Sequence, residues 1–294
     1  MLCSTRHISL WLLGLGVALN MPISTSWAQT SKRKSEQQAE KLDATETKKG
    51  LQSGQESRVL AALDQLKQAP TLGKPLAPDV EVLLNKGTTL KITLNALGVL
   101  GALGEASSSK VIAPYVRHRS GPVRQTAANA LLKTKGPDAV EALRGALRSS
   151  DPEVRDIAAR GLGDLKAKEV MPDLFQSLDQ RVFAAAVSIG KLCEPADCMK
   201  FMDQLKKLQL EVITSGTDHL LFRPSSEVDD KTKLAVIEQI AALRTMPATD
   251  YLVSVYKRLP KDSKKALKKD GNKSLKAELA EIIEDNGGDL GDDE

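Results

Sequence analysis

Two cysteines, Cys193 and Cys198, are the first residues here whose spacing bears on chemistry. Glu194, Pro195, Ala196 and Asp197 lie between them. A redox-active pair ordinarily reads C-x-x-C, and a zinc site ordinarily has four ligands. The nearest histidine, His219, has no partner beside it. Pro195 favours a turn that brings the sulfurs together, so we expect a structural disulfide; free thiols, or a metal or redox site, are the alternatives. Histidine occurs only at His7, His118 and His219. There is no nucleophile elbow, no phosphate-binding glycine loop and no H-E-x-x-H. Asp285-Asn-Gly-Gly-Asp289 lacks the spacing of a calcium loop and its final bidentate Glu. The pairs Gly98/Gly101 and Gly161/Gly163 fit close helix packing better than phosphate binding. No catalytic residue, metal ligand or cofactor is expected.

Charge is more informative. Residues 115–168 carry eleven Lys/Arg against six Asp/Glu, a local net of +5 within a chain whose total is +4. Arg117, His118 and Arg119 lie together at the end of a helix-like segment. Arg124 and Arg155 recur at one repeat position, where a structural ladder to Asp151 or Asp156 is the expected role. Arg117 and Arg119 have no such duty. They are the candidate contacts for an anionic partner, with His118 beside them and His219 as a second edge. An acidic protein, a cell-wall polymer or lipid head groups would supply the charge. Nucleic acid is excluded by the export signal described below and by the scarcity of stacking aromatics, 3% of the chain.

The elements that position these residues follow from composition and period. Among 294 residues 41% are hydrophobic and few are aromatic. A core of Leu, Ala, Val and Ile suits close helix packing better than a sandwich of strands. The first residues are not part of it. Arg6 and His7 precede an apolar run over 8–19, Pro22 follows, and Ser26-Trp27-Ala28 places small residues before Gln29. That order is a secretory signal peptide over 1–28. We therefore expect a periplasmic or secreted protein with no transmembrane segment and a mature start near Gln29. Residues 29–55 are polar, with Leu42 and Leu51 as the large apolar residues, and are expected to form a disordered linker.

From Glu56 onward apolar segments recur. Their anchors are Val59, Leu90, Val123, Val154 and Val182, at intervals of 31, 33, 31 and 28. Each segment is apolar at i, i+3/i+4 and i+7, one face of an α-helix, and each is followed by a second helical segment. Such hairpins are stable only when stacked. Asp151-Pro152 and Gly136-Pro137 mark helix starts. A further unit is expected over 231–256, with an insertion at 209–230 read as a hairpin or ordered loop. Residues 259–294 are expected to be a tail, basic then acidic, with a last helix over 273–283.

The phrase Asp151-Pro-Glu-Val-Arg-Asp-Ile-Ala-Ala-Arg-Gly-Leu-Gly-Asp-Leu165 resembles a HEAT repeat of the short, phycobilisome-lyase-like type. Pro122-Val-Arg-Gln-Thr-Ala-Ala-Asn-Ala-Leu131 is similar. The resemblance covers 121–192 well and 56–116 more weakly. It implies an all-α solenoid of about six stacked HEAT-type hairpins, spanning 56–258. HEAT arrays are mostly scaffolds, and a few occur in bilin lyases. The expected function is thus a non-catalytic exported scaffold, not an enzyme, that holds a protein partner. The alternative is an accessory subunit of an envelope enzyme or a lyase-like bilin-binding module.

Overall fold

The computed structural model describes residues 42–260 and 274–291. The leader read over 1–28, the linker as far as 41 and most of the basic tail lie outside them. The described residues form helices and turns without a strand. In chain order the helices are α1 Ala44–Gln52, α2 Glu56–Gln68, α3 Ala77–Lys86, α4 Leu90–Leu103, and α5 Ser109–Ile112, which runs on as a tighter turn through Ala113–Arg117. Then come α6 Gly121–Thr134, α7 Pro137–Ala146, α8 Pro152–Asp164, α9 Met171–Asp179 and α10 Ala184–Leu192. The last are α11 Pro195–Met202, α12 Leu210–Leu221, α13 Asp230–Ala241, α14 Met246–Arg258 and α15 Leu275–Asp285.

Local sequence explains the boundaries. Asp43, Thr89, Asp151, Asp229 and Ser274 each accept a hydrogen bond from a first-turn N–H. Proline stands in the first turn of α3, α6, α7, α8, α9, α11 and α14. There it needs no backbone donor.

The even-numbered helices stack beside one another in a first layer, and the odd-numbered ones form a second. The chain is an α-solenoid. The valines that set the period, Val59, Val123, Val154 and Val182, are all buried between the layers. First-layer helices approach closely because glycine faces the neighbour. A Cβ on Gly190 would lie 1.9 Å from the carbonyl oxygen of Gly216, and one on Gly101 would lie 2.9 Å from Cα of Ala130. The second layer is tied by acids at the helix starts. Asp79 receives Lys48 at 3.1 Å, Asp138 receives the hydroxyl of Ser109 at 3.3 Å, and Asp173 receives Nε of Arg144 at 2.8 Å and Nη2 of Arg148 at 3.0 Å.

Five expectations are corrected. Residues 44–52 are not a linker: α1 packs on α2 and α3, burying Leu51 and Thr47, whose hydroxyl donates to Gln65 at 2.9 Å. The supposed insertion holds α12, a full first-layer helix against α10. The segment over 231–256 is consequently not one unit. α13 is the partner of α12, while α14 begins a new hairpin that α15 completes. Leu279 and Ile283 of α15 are buried, so this stretch belongs to the solenoid and not to a tail. The described residues thus make seven hairpins preceded by α1, against the six expected.

Cys193 and Cys198 sit at the end of α10 and within α11 in disulfide geometry, with Cα atoms 5.2 Å apart and both side chains buried. Arg223 ties the next turn to this corner by donating to the carbonyl of Cys193 at 2.6 Å.

Candidate functional site

The turn between α5 and α6 carries Arg117, His118 and Arg119. It is fixed from both sides. The hydroxyl of Tyr115 donates to the carbonyl of Leu84 at 2.9 Å, anchoring α5 on α3. Burial pushes that phenol above its ordinary pKa. The His118 ring stacks on Tyr115 with centroids 6.1 Å apart, and its Nδ1 accepts from the N–H of Ser120 at 3.1 Å. Arg124 then clamps the turn. Its Nη1 donates to the carbonyls of His118 and Arg119 at 3.0 and 3.1 Å, and its Nη2 meets Asp151 at 3.1 Å. The ladder expected of Arg124 and Asp151 is therefore present. Arg155 repeats only the main-chain half of this clamp, donating to the carbonyl of Ser149 at 2.7 Å, while Asp156 pairs with Arg160. The following turn, 180–183, holds no acid in the place of Asp151.

This clamp leaves Arg117 and Arg119 exposed. Arg117 reaches across to α7, its Nη2 2.9 Å from where a Cβ on Gly145 would be. Any side chain at 145 would displace it. Below lies an open groove of about 440 Å³ between α5 and α7. Its floor is Ala113, Pro114, Val116 and Ala142, and its walls bear Lys110 and Arg117 opposite Asp138 and Glu141. The apolar floor suits a flat organic ligand, with cations on one wall to meet carboxylates and acids on the other to meet N–H donors. A second groove, of about 840 Å³, opens between α1 and the start of α4. It is lined by Leu51, Val59, Val82 and Ile92 under a polar rim.

The structure does not bring His219 to this turn. It lies on α12 in the first layer, four hairpins further along, whereas Arg117 ends a second-layer element. Burial, then the charge of Lys191, holds its imidazole below the ordinary histidine pKa. The network beside it was not foreseen. Asp218 accepts Arg258 bidentately at 2.8 and 2.6 Å, and the hydroxyls of Thr217 and Tyr251 meet at 2.9 Å. The hydrogen bond from Arg258 holds the Asp218 carboxyl below its usual range. Residues 218 and 258 are 40 apart, and no local pattern signals such a pair. The acid ladder was more visible: Pro78-Asp79, Pro137-Asp138 and Pro172-Asp173 recur in phase with the period.

No family model matches the chain. Over 80 residues it is 38% identical to the phycocyanobilin lyase subunit alpha of Synechococcus elongatus. That stretch is 26% of this chain and 29% of the relative, so the match spans under a third of the curated protein. Among solved structures, the complex of CpcE and CpcF of phycocyanin lyase from Nostoc sp. PCC7120 aligns with 84% of this chain and 95% of that one. It does so at 18% identity and a TM-score of 0.45. An engineered protein aligns with 82% of the chain at 17% identity and a TM-score of 0.37. At those scores the two structures carry no functional argument. The sequence match does bear on one expectation. The chain was read as no enzyme because it holds no catalytic motif, and that reading is overturned: the curated relative matched over those 80 residues is a subunit of a lyase.

Proposed function

We propose that the chain is a lyase-type helical-repeat module that binds a linear tetrapyrrole of the bilin class and works with a protein partner. The observation that carries this is the 38% identity over 80 residues with a phycocyanobilin lyase subunit. Bilins are flat and carry propionate carboxylates. The groove between α5 and α7 supports the reading with an apolar floor for the rings and Arg117 and Lys110 for the carboxylates. His118 and Arg119 lie in the adjoining turn and do not line the groove; His219 takes no part. Titrating the purified chain with phycocyanobilin should give a saturable change in visible absorbance and an induced visible circular dichroism. Each charge-assisted contact is worth roughly 1.5–3 kcal/mol. The double change Arg117→Ala and Lys110→Ala should therefore weaken binding by at least about tenfold, with the helical signal intact. A pigment that stays free in solution at every protein concentration rejects the reading.

The protein also acts outside the cytoplasm in this proposal, after removal of residues 1–28. A single measurement covers that and the cysteines. Peptide mapping of protein taken from its own cells should find Gln29 at the N-terminus and Cys193 linked to Cys198. In the chain-entropy model so short a closed loop adds about 2 kcal/mol. Met1 on the folded protein, with both thiols alkylated, rejects the compartment and the bridge together.

A further inference from the structure

Because the hairpins stack in register, the turns from each second-layer helix to the next first-layer helix line up along one edge. Arg124 shows this directly, joining the carbonyls of turn 118–120 to Asp151 of the following turn. Five successive turns on this edge, 118–120, 147–151, 180–183, 203–209 and 242–245, each carry Lys or Arg. These are Arg119, Arg148, Arg181, Lys206 with Lys207, and Arg244. The acids among those turns are Asp151, already engaged by Arg124, and Asp203. The opposite edge is different. Its turns mix cations with acids and pair them, as in Lys74–Glu105 at 3.1 Å and Lys168–Glu194 at 3.3 Å. Charge is thus sorted to one edge and not merely abundant.

Arg148 is held by Asp173. Arg119, Arg181, Lys207 and Arg244 are exposed, and among the described residues their side chains enter no ion pair. Arg181 and Arg244 sit at φ 66° and 49°, in the left-handed region where Gly or Asn is the easier choice. Long cations nevertheless occupy both positions.

Apolar side chains share the edge. Phe183, Leu243 and Met246 stand 44%, 38% and 73% exposed in or beside these turns. An acidic protein would account for the cations but not for a Met left almost bare next to them. A lipid surface uses both: head-group phosphates attract the cations, and apolar side chains enter the boundary of the acyl region. No described helix is long and apolar enough to cross a membrane, so the contact would be peripheral. We propose that this edge docks the solenoid on an anionic lipid surface. The bilin groove plays no part in it.

The test compares the full chain with variants in a flotation assay. All carry the same N-terminus, so whatever residues 1–41 contribute is common to every arm. Vesicles are phosphatidylcholine with or without about a third phosphatidylglycerol. The chain should bind the anionic vesicles more tightly, and less so as salt rises. At roughly a factor of five to ten per surface cation, the triple change Arg119→Gln, Arg181→Asn, Arg244→Asn should lower affinity about a hundredfold. Asn tolerates the left-handed region, so circular dichroism and melting should be unchanged. Removing Phe183 and Met246 side chains with Phe183→Ser and Met246→Ser should cost about tenfold. The pair Lys135→Asn and Lys166→Asn removes left-handed cations from the opposite edge and should change nothing. No preference for anionic vesicles, or equal losses in the two charge variants, overturns the proposal. So does retention on polyglutamate without binding to vesicles, which would assign the edge to an acidic protein.

Discussion

Replacing Gly190 with valine should split the solenoid in two. The new Cβ would fall 1.9 Å from the carbonyl oxygen of Gly216 and 2.6 Å from its carbon. Both are backbone atoms, and no rotamer moves them. α10 and α12 must part, opening the seam that buries Ile189, Phe201 and Leu220. Overpacking of this kind costs about 1–3 kcal/mol where side chains yield, and more where main chain is struck. In a repeat stack each hairpin is stabilised mainly by its neighbours. The damage should therefore run one way. Amide exchange should lose protection across α12 to α15, while α4 to α8 keep theirs. Loss spread evenly over all helices would show instead that the array melts as one body. Gly98, with nothing within 4 Å of an added Cβ, is the matched position where Ala should be harmless.

Asp173→Ala should be the most damaging single change to a charge. Asp173 is 7% exposed and accepts from Arg144, in the preceding helix of its layer, and from Arg148, in the turn after that helix. It also stands in the first turn of α9, where negative charge opposes the helix dipole favourably. The arginines are 44% and 62% exposed and regain water when the acid is lost, which moderates the cost. We expect a loss of about 2 kcal/mol, or about 4–8 °C in melting temperature at this size. Asp173→Asn should recover part of it by keeping one acceptor. A melting curve unchanged by the alanine would mean that the two arginines contribute nothing there.

The sequence pattern announced the middle of the fold well. Val123, Val154 and Val182 begin helices whose apolar faces must be covered, and Pro-Asp pairs mark the partners. It misled at α12 for a physical reason. Gly216, with Thr214 and Ser215 beside it, reads as a turn by residue type. In the structure it is the residue that lets α12 lie against Gly190, so the signal of a break was a signal of contact. α1 was passed over because a polar helix that buries only Thr47 and Leu51 has little periodicity to show. At the site, the structural duty of Arg124 was legible because its acid lies one period away. The choice of Arg155 for its own main chain was not. The likeness to a lyase subunit was legible in the repeat phrase over 151–165, but it gave only the alternative reading because no catalytic motif accompanies it.

The polar helix at the start has a consequence for growth. A stack of identical rungs has no inherent length, because each end offers the seat that the next rung occupies. α1 closes one end. It packs on α2 and α3, buries Leu51, and turns Thr45, Glu46, Lys49 and Gln52 outward. A chain cut after α1 would present an open apolar seat to the far end of another copy. Nothing in such head-to-tail contact closes on itself. Among the described residues α1 is thus the expected terminator, and a chain shortened past it should associate head to tail into filaments.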